Sequence, residues 1–267
     1  MKLKDKVVVV TGGGSGMGRE LVRQLLQRGA RVAAVDLNAS ALQETVAQAA
    51  AGERLATFVV NIAERSAVEA LPAQVVERFG SVDGVINCAG IIQPFVRLKD
   101  LEWAAMERVM AVNFWGTLHM VRAFLPRLLE RPEAHLVNIS SMGGFLPVPG
   151  QSLYGASKAA VKLLTEALHS ELVGTPVKVT VVFPGAIATN IAANSGVSMT
   201  MTASDAKQSS IKMTPADRAA AIILDGVERD AYRVLVGPDA KLMDALSRLD
   251  PRRAAGFIQR QMRELLK

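Results

Sequence analysis

The sequence predicts an α/β fold in which a single doubly wound parallel sheet of about seven strands carries helices on both faces. Short apolar runs recur along the 267 residues, and the segments between them have helical spacing, an alternation typical of parallel strands joined by right-handed crossovers. The runs are rich in Val and Ile, as in residues 7–10, which indicates strands buried on both faces. The chain length suits one domain of this kind, residues 1–267.

Each strand of the predicted sheet corresponds to one apolar run. The runs are residues 7–10, 31–35, 55–60, 82–86, 135–139, 177–183 and 233–236. The segments between them are long enough for helices. The spacing predicts a long helix over residues 100–130, kinked by Pro126, and another over residues 152–173.

Residues 190–213 interrupt the alternation, because Ser, Thr, Ala and Met follow one another there without a sustained period. The segment comes after the sixth strand, at the edge where open α/β sheets place their ligands. We expect a mobile substrate lid, with an inert surface loop as the alternative. Residues 238–267 predict a C-terminal extension of two helices separated at Pro251, which would cover either a neighbouring subunit or the pocket mouth.

Charge and composition narrow the function classes. The formal charge is +6, but residues 240–267 hold seven basic and three acidic side chains, so +4 of that charge lies in the C-terminal segment. A basic terminal helix is typical of a solvated or subunit-facing surface, and we predict no nucleic-acid partner. No apolar run approaches the roughly 18 to 20 residues of a membrane span, so we expect a soluble protein without stable membrane insertion. The single Cys88 favours a reducing, cytoplasmic location.

A glycine-rich loop follows the first strand and opens a helix, the context in which such a loop binds a dinucleotide and the sheet is of the Rossmann type. Its sequence over residues 11–18 is T-G-G-G-S-G-M-G. Glycine lets the backbone turn tightly and approach a pyrophosphate, whose charge the helix N-terminus stabilises. The expected contacts are Gly12, Gly14, Ser15, Gly16, Met17 and Gly18. A plain glycine turn is the alternative, and the lack of a Gly-Lys-Ser/Thr ending argues against phosphoryl transfer.

Asp36 ends the second predicted strand, where a carboxylate can accept hydrogen bonds from the adenosine ribose hydroxyls. The same charge repels a 2′-phosphate, and neither Ser15 nor Leu37 supplies a cation that would neutralise that phosphate. The cofactor predicted from these residues is NAD(H) rather than NADP(H). An aspartate that caps the helix after Asn38 is the alternative.

Tyr154 and Lys158 are four residues apart, so on a helix they lie on one face. A phenol has a pKa of about 10 and is a poor base at neutral pH unless a neighbouring cation stabilises the phenolate. Lys158 can supply that charge, and the hydroxyl of Ser141, upstream, can hold a carbonyl or alcohol oxygen against the phenol. The three residues predict an acid–base site, and a chance surface pair of Tyr and Lys is the alternative.

Together these stretches resemble the short-chain dehydrogenase/reductase family, in the branch with T-G-x-x-x-G-x-G and Y-x-x-x-K motifs, over residues 3 to about 237. The resemblance implies hydride transfer between nicotinamide and a carbonyl carbon. Tyr154 would exchange the proton, Ser141 would steady the oxygen, and Lys158 would also bond the nicotinamide ribose. Asn113 matches the family's N-x-x-G pattern and would bend a helix and relay protons to the lysine, with a purely structural role as the alternative.

The resemblance also assigns the remaining contacts. Family spacing selects Ser141 as the substrate-orienting serine, with Ser140 as the fallback. The adenosine side would involve Asp36, Leu37, Asn61, Ile62, Asn87, Ala89 and Gly90, with Cys88 in place of the family's second asparagine. The P-G-x-x-x-T segment would bind the cofactor through Pro184, Gly185, Ile187 and Thr189, with the Ile187 backbone and the Thr189 hydroxyl holding the nicotinamide carboxamide.

The expected function is the NAD(H)-dependent interconversion of a hydrophobic secondary alcohol and its ketone. The expected substrate pocket is largely apolar, and its residues are Gln93, Phe95, Met142, Gly143, Phe145 and Ile191. A 3-oxoacyl-carrier-protein reductase and a catalytically silent dinucleotide-binding sensor or scaffold stay open as alternatives. The resemblance implies a homodimer or homotetramer. The dispersed histidines predict no metal site; they are His119, His135 and His169.

Overall fold

The strands form where the sequence is apolar at successive positions. The structure is a computed structural model that describes residues 1–197 and 213–262. Its strands are β1 (Val7–Thr11), β2 (Arg31–Asp36), β3 (Leu55–Val59), β4 (Gly84–Asn87), β5 (Ala134–Ile139), β6 (Val177–Pro184), β7 (Ile187–Ala188), β8 (Thr214–Pro215) and β9 (Arg233–Val236). Seven of these strands correspond to the predicted runs. The very short β7 and β8 have no counterpart in the prediction.

Helices occupy the segments between the strands. They are α1 (Gly16–Gln27), α2 (Ala39–Ala49), α3 (Arg65–Phe79), α4 (Trp103–Met110), α5 (Thr117–Leu129), α6 (Ser152–Glu171), α7 (Ile191–Asn194), α8 (Ala216–Glu228), α9 (Pro238–Leu249) and α10 (Pro251–Gln261). Within the described part of the chain, every helix is too short or too polar to cross a bilayer.

The long helix predicted over residues 100–130 is divided by a π-helical turn, Ala111–Gly116, which joins α4 to α5. Pro126 lies inside α5, so the irregularity is earlier in the chain than the sequence predicts. At the end of the π-helical turn Gly116 approaches Ile62 closely, and a β-carbon there would lie 2.7 Å from the Cγ1 atom of that isoleucine. Such π-helical turns often occur at functional sites.

The seven longer strands are all parallel and follow the order β3-β2-β1-β4-β5-β6-β9, which confirms the predicted doubly wound sheet. From β1 the chain builds outward through β2 and β3, and then it returns to add β4 on the other side of β1. The loops that follow β1 and β4 therefore diverge at the carboxyl edge, and the crevice between them is the usual ligand site of such sheets. The short strands β7 and β8 pair separately.

The first strand shows why its run is apolar throughout. Val8 and Val10 face one apolar layer, which contains residues of α1 and α8, whereas Val7 and Val9 face the other, which contains residues of α3 and α5. All four side chains are buried. Because both faces of the strand are covered, neither face requires polar residues.

The C-terminal segment forms the two predicted helices, α9 and α10, on either side of Asp250. Met243 of α9 and Ile258 of α10 pack with Leu146, which lies in the turn after β5. The extension therefore lies beside the segment that follows Ser141. The predicted lid falls mostly on residues 198–212, outside the described residues, and its role stays a prediction.

His135 is a buried histidine in β5. Its Nε2 lies 2.8 Å from Thr180 Oγ1, and because Thr180 donates its own hydrogen to the Ala231 carbonyl oxygen, the imidazole is the donor of this bond. Burial is the main cause that lowers the pKa of His135 to about 4. The folded protein therefore keeps this imidazole neutral at pH values where an exposed histidine is charged.

The free energy of unfolding should decrease as the pH falls through this window. The unfolded histidine titrates near 6.5 and the buried one near 4, so between these values the unfolded state binds more protons. Each pH unit then removes up to about 1.4 kcal/mol of stability. His135→Gln keeps a donor for Thr180 and is the matched control. Denaturant unfolding near neutral pH and near pH 5 measures both proteins, and equal losses in the two would contradict this assignment.

Candidate active site

A cavity of about 510 Å³ opens at the carboxyl edge of the sheet, in the crevice between the loops that follow β1 and β4. Most of the predicted site residues line it. They are Gly12, Ser15, Gly16, Met17, Gly18, Asp36, Leu37, Asn61, Ile62, Ala89, Gly90, Ser141, Tyr154, Lys158, Pro184, Gly185, Ile187, Thr189 and Ile191. The expected cofactor contacts and the expected acid–base residues thus share one cavity.

The glycine loop adopts a conformation that side chains would obstruct. Gly12 has a φ of +72° and Gly16 a φ of +49°, both in the left-handed region. A β-carbon on Gly18 would overlap the carbonyl oxygen of Gly12, so the loop and the first turn of α1 can approach this closely only with glycine. Arg19 supports the loop, since its Nε donates to the Gly14 carbonyl oxygen at 3.0 Å.

Asp36 is bonded to the glycine loop. Its Oδ2 accepts from the Gly14 N–H at 2.9 Å, and its Oδ1 accepts from the Asn38 N–H at 3.0 Å. The N-cap of α2 is Asn38, whose side chain accepts from the Ala41 N–H. The helix-cap alternative for Asp36 is therefore wrong. The carboxylate lies in the cavity wall beside Leu37, which is exposed.

The basic residue that follows the glycine loop does not line the cavity. The guanidinium of Arg19 donates to Thr45 Oγ1 at 3.0 Å and to the Glu44 carboxylate at 2.7 Å. Among the described residues that line the cavity, Lys158 is the one cation, and it lies on α6. The corner of the cavity around Asp36 therefore carries a negative charge.

The turn after β4 is held by the end of β1. Thr11 Oγ1 accepts from the N–H groups of Cys88 and Ala89, at 3.0 Å and 3.1 Å. Asn87, an expected cofactor contact, is buried and does not line the cavity, because its Nδ2 donates to Asn138 Oδ1 at 2.8 Å. Asn87 therefore joins two strands. Thr11, which the sequence analysis did not identify as a site residue, fixes the turn.

Two neighbouring serines take different positions. The buried Ser140 donates its hydroxyl to the carbonyl oxygen of Lys158 at 2.7 Å and so joins β5 to α6. Ser141 Oγ accepts from the Gly143 N–H at 3.0 Å and also interacts with the phenol of Tyr154. Of the two serines, Ser141 is the one whose side chain lowers the pKa of the phenol.

Burial, rather than a neighbouring charge, dominates the protonation of the phenol. It raises the pKa of Tyr154, and the interaction with Ser141 offsets part of this increase. The Lys158 ammonium lies 6.0 Å from the centre of the ring and donates to the Ile139 carbonyl oxygen at 3.0 Å. Burial also lowers the pKa of Lys158 to about 8. Desolvation disfavours both charged forms and sets the direction of both shifts, so the expected lowering of the phenol pKa by the ammonium is not the dominant effect here.

Asn113 lies in the π-helical turn and is fully buried. Its Oδ1 accepts from the Ile91 N–H at 2.9 Å, and its Nδ2 donates to the Ile91 carbonyl oxygen and to Ser157 Oγ, both at 3.0 Å. The side chain thus joins the segment after β4 to α6. A β-carbon on Gly90 would lie 3.2 Å from Lys158 Nζ and 3.3 Å from Asn113 Oδ1, so glycine gives both groups space beside the turn.

The residues expected in the substrate pocket separate in the structure. Ile191 lines the cavity. The cavity lining does not include the other five, which are Gln93, Phe95, Met142, Gly143 and Phe145. Phe145 packs edge to face on Phe183 with ring centres 5.4 Å apart, and Met142 packs with the C-terminal helices. Closeness to Ser141 in the sequence predicts the neighbourhood of these side chains but not their direction.

Asp239, at the start of α9, is a site residue that the sequence analysis missed. Its Oδ2 accepts from the Ala186 N–H at 2.7 Å, within the P-G-x-x-x-T segment, and a β-carbon on Gly185 would overlap this carboxylate. Asn194 of α7 was also missed, and it donates to Ser15 Oγ at 2.9 Å. An acidic residue near a helix start was the available signal for Asp239, but it is equally typical of ordinary helices.

The histidines lie in different parts of the structure. His119 Nδ1 lies 3.1 Å from the Ile62 carbonyl oxygen, and the His169 ring packs against Tyr232 with ring centres 4.6 Å apart. Across residues 1–197 and 213–262, no group of three His, Cys, Asp or Glu side chains is arranged to hold a metal ion.

Comparisons with known proteins identify relatives along most of the chain. The family model described as short chain dehydrogenase matches residues 6–199. A Mycobacterium tuberculosis protein named "Putative oxidoreductase SadH" is 39% identical over 252 residues, which cover 92% of this chain and 91% of that protein.

Two solved structures share the fold and contain dinucleotides. A short chain dehydrogenase/reductase from Burkholderia phymatum in complex with NAD has a TM-score of 0.85 and 28% identity, over 95% of this chain and 96% of that one. A short chain dehydrogenase from Burkholderia cenocepacia in complex with NADP has a TM-score of 0.80 and 26% identity, over 97% and 99% of the two chains. These neighbours therefore differ in the dinucleotide that they hold.

Gly18→Ala should weaken dinucleotide binding by at least about tenfold, because the added methyl group displaces the loop whose N–H groups favour a pyrophosphate. Gly256→Ala in α10 is the matched control, since a β-carbon there meets only Arg260 Nη1 at 3.7 Å. Titration followed by NADH fluorescence gives the Kd of both variants and of the parent protein. Equal Kd values for Gly18→Ala and the parent would contradict this role of the loop.

Proposed function

Because the chain belongs to the short-chain dehydrogenase/reductase family, we propose that it is an NAD(H)-dependent oxidoreductase that interconverts a hydrophobic secondary alcohol and its ketone. One observation carries the proposal: Ser141, Tyr154 and Lys158 line the same cavity as the glycine loop. A substrate oxygen held at the phenol would therefore lie in the cavity that receives the dinucleotide. This shared cavity favours catalysis over dinucleotide binding alone.

The residues of the cavity fit a nicotinamide dinucleotide. Gly12 and Gly16 line the cavity at the N-terminus of α1, where unpaired N–H groups favour an anion such as a pyrophosphate. When bound, the dinucleotide supplies or accepts the hydride. Ile187 and Thr189 line another part of the wall and are available to hold the nicotinamide carboxamide.

The electrostatics around Asp36 support NAD(H) over NADP(H). Its carboxylate lies in the cavity wall, and the neighbouring Leu37 is an exposed apolar residue rather than a cation. Arg19, the basic residue after the loop, is engaged with Glu44. A 2′-phosphate would add negative charge beside this carboxylate, whereas ribose hydroxyls can donate hydrogen bonds to it.

Tyr154 exchanges a proton with the substrate oxygen in the proposed reaction, and Ser141 steadies the charge that develops on that oxygen. Because burial raises the pKa of Tyr154, the phenol is protonated at neutral pH and is ready to act as the acid of ketone reduction. Alcohol oxidation requires the phenolate and is therefore favoured by more alkaline conditions. Lys158, with a pKa of about 8, keeps its charge at neutral pH and can donate to the nicotinamide ribose.

An apolar substrate is supported by the aliphatic part of the cavity wall. Ile91 and Ile92, in the segment after β4, and Ile191, in α7, line the cavity. Aliphatic walls with a few polar groups are typical of pockets for hydrophobic small molecules. The polar groups of the lining include those of the proposed chemistry, Ser141 and Tyr154.

The proposal includes a homo-oligomeric state and a cytoplasmic location. Trp103 of α4, Trp115 of the π-helical turn and Leu163 of α6 are exposed, and a second copy of the chain would bury apolar surface of this kind. The free thiol of Cys88 is compatible with a reducing compartment.

Tyr154→Phe should lower kcat by at least about a hundredfold, because the proton donor is lost while the ring that fills the site remains. Its Kd for NADH should stay within about twofold of the parent value, since the substitution removes only the hydroxyl. Tyr232→Phe, at the ring that packs on His169, is the matched control.

The substrate for these measurements comes from a panel of hydrophobic secondary alcohols with NAD⁺ and of ketones with NADH, followed by NADH absorbance. Turnover by Tyr154→Phe within a few-fold of the parent would reject its assignment. If the parent protein acts on no member of the panel, a sensor or scaffold role is favoured instead.

The preference for NAD(H) over NADP(H) should reverse when the negative charge at Asp36 is replaced by a positive charge beside it. The double variant Asp36→Asn with Leu37→Arg keeps an amide oxygen for the Gly14 N–H and adds a cation where a 2′-phosphate would lie. The ratio of kcat/KM with NAD(H) to kcat/KM with NADP(H) should fall by at least about tenfold. Leu37→Ala alone controls for loss of the leucine. A parent protein that uses NADP(H) as well as NAD(H) would contradict the proposed preference.

A further inference from the structure

Gln93 is buried between two parts of the candidate site, the segment after β4 and the start of α6, and its exposed fraction is 0%. It does not line the cavity, so it has no contact surface for a substrate there. Both ends of its side-chain amide are nevertheless bonded to the chain around Tyr154. These bonds indicate that Gln93 holds the backbone of the site in place.

Helix α6 begins without a cap of its own. Gln151 occupies the N-cap position, and its side chain makes no capping hydrogen bond. The first N–H groups of a helix have no carbonyl partner inside it and need acceptors from elsewhere. Gln93 Oε1 supplies that acceptor, since it accepts from the Leu153 N–H at 2.8 Å and from the Tyr154 N–H at 3.0 Å. The cap of this helix therefore comes from a distant segment of the chain.

The same amide also holds the turn that leads into the helix. Gln93 Nε2 donates to the Gly150 carbonyl oxygen at 3.0 Å, and Gln151 Nε2 donates to the Gln93 carbonyl oxygen at 2.8 Å. Gly150 has a φ of +77°, so the chain turns in the left-handed region just before α6 begins. Only a side chain with both an acceptor and a donor can bond the turn and the helix together.

The segment that carries Gln93 is itself fixed. Asn113 binds both the N–H and the carbonyl oxygen of Ile91, and the Ile92 N–H donates to Ser195 Oγ at 3.0 Å. Ser195 is buried, as is Asn113. The cap is therefore attached to the π-helical turn on one side and to the end of α7 on the other, and it does not depend on a flexible loop.

We propose that Gln93 is a positioning residue for Tyr154. The side-chain amide of Gln93 fixes the first turn of α6 and thereby the place of the phenol beside Ser141. Helix ends fray most easily, and Tyr154 is in the first turn of its helix. Lys158, one turn further along, is held independently by the Ile139 carbonyl oxygen. Loss of the cap would therefore move the phenol relative to the ammonium. The inference rests on the proposed function only in assigning the proton transfer to Tyr154.

The position of the phenol can be measured without any substrate. The chain has two tyrosines, so Tyr232→Phe leaves Tyr154 as the one phenol, and its ionisation can be followed by phenolate absorbance. In this background Gln93→Leu removes the cap, and the loosened helix start admits water. Because burial raises the pKa of Tyr154, the midpoint of its titration should then decrease by at least about half a pH unit.

Turnover supplies the second readout. On a substrate of the parent protein, Gln93→Leu should lower kcat by at least about tenfold while KM and Kd for NADH stay within about twofold. Gln93→Glu keeps oxygen acceptors for the Leu153 and Tyr154 N–H groups and should retain more turnover and a midpoint nearer the parent value. Gln74→Glu, exposed on α3, is the control. If Gln93→Leu does not fold, Gln93→Asn, whose amide is one methylene shorter, takes its place.

The outcomes separate this inference from the proposed function. An unchanged titration midpoint with unchanged kcat in the leucine or asparagine variant would overturn the role of Gln93. A lowered midpoint in a protein that turns over no alcohol or ketone would support the positioning role and reject the proposed function.

Discussion

The parallel pairing of β1 with β4 is the constraint on which the rest of the site depends. Thr11 and Asn87, the last residues of these strands, are register partners, so the chain leaves both strands side by side. The Thr11 hydroxyl then bonds the next two N–H groups after β4. A slip of one residue in their register would turn each side chain to the opposite face of the sheet. Both faces are packed against helices, so the core would have to repack. The glycine loop and the turn after β4 therefore form the two walls of one crevice.

The sheet, the glycine loop and the cluster around Tyr154 could be predicted from the sequence because their signals are local. Runs of apolar residues, glycine at the start of a helix and a spacing of four residues all act within one element. Gln93 and Asp239 could not be assigned in this way. Each bonds a segment far away in the chain, and the direction of a side chain depends on packing that a local pattern does not contain. For the same reason Phe145 was placed in the substrate pocket although it packs on Phe183.

The pKa values of Tyr154 and Lys158 could not be predicted from the spacing of these residues. Spacing places an ammonium near a phenol and suggests mutual stabilisation of their charges. In the structure Lys158 is buried and Tyr154 is half-buried, and desolvation raises the pKa of Tyr154 and lowers that of Lys158. One cause therefore shifts an acid and a base in opposite directions, since it favours the neutral form of each. Burial is a property of the whole fold, which explains why residue types alone misjudged its weight.

The carboxylate of Asp239 has a consequence for anyone who recombines this enzyme with its relatives. The residue follows the last strand, so a chain cut at Val236 would complete the sheet and still leave the Ala186 N–H without this acceptor. Replacing the C-terminal segment at that boundary would remove the Asp239 carboxylate together with the helices beside the turn after β5. A boundary placed beyond the first turn of α9 would keep Asp239 and its bond to the Ala186 N–H, and only the remainder of α9 and α10 would be exchanged.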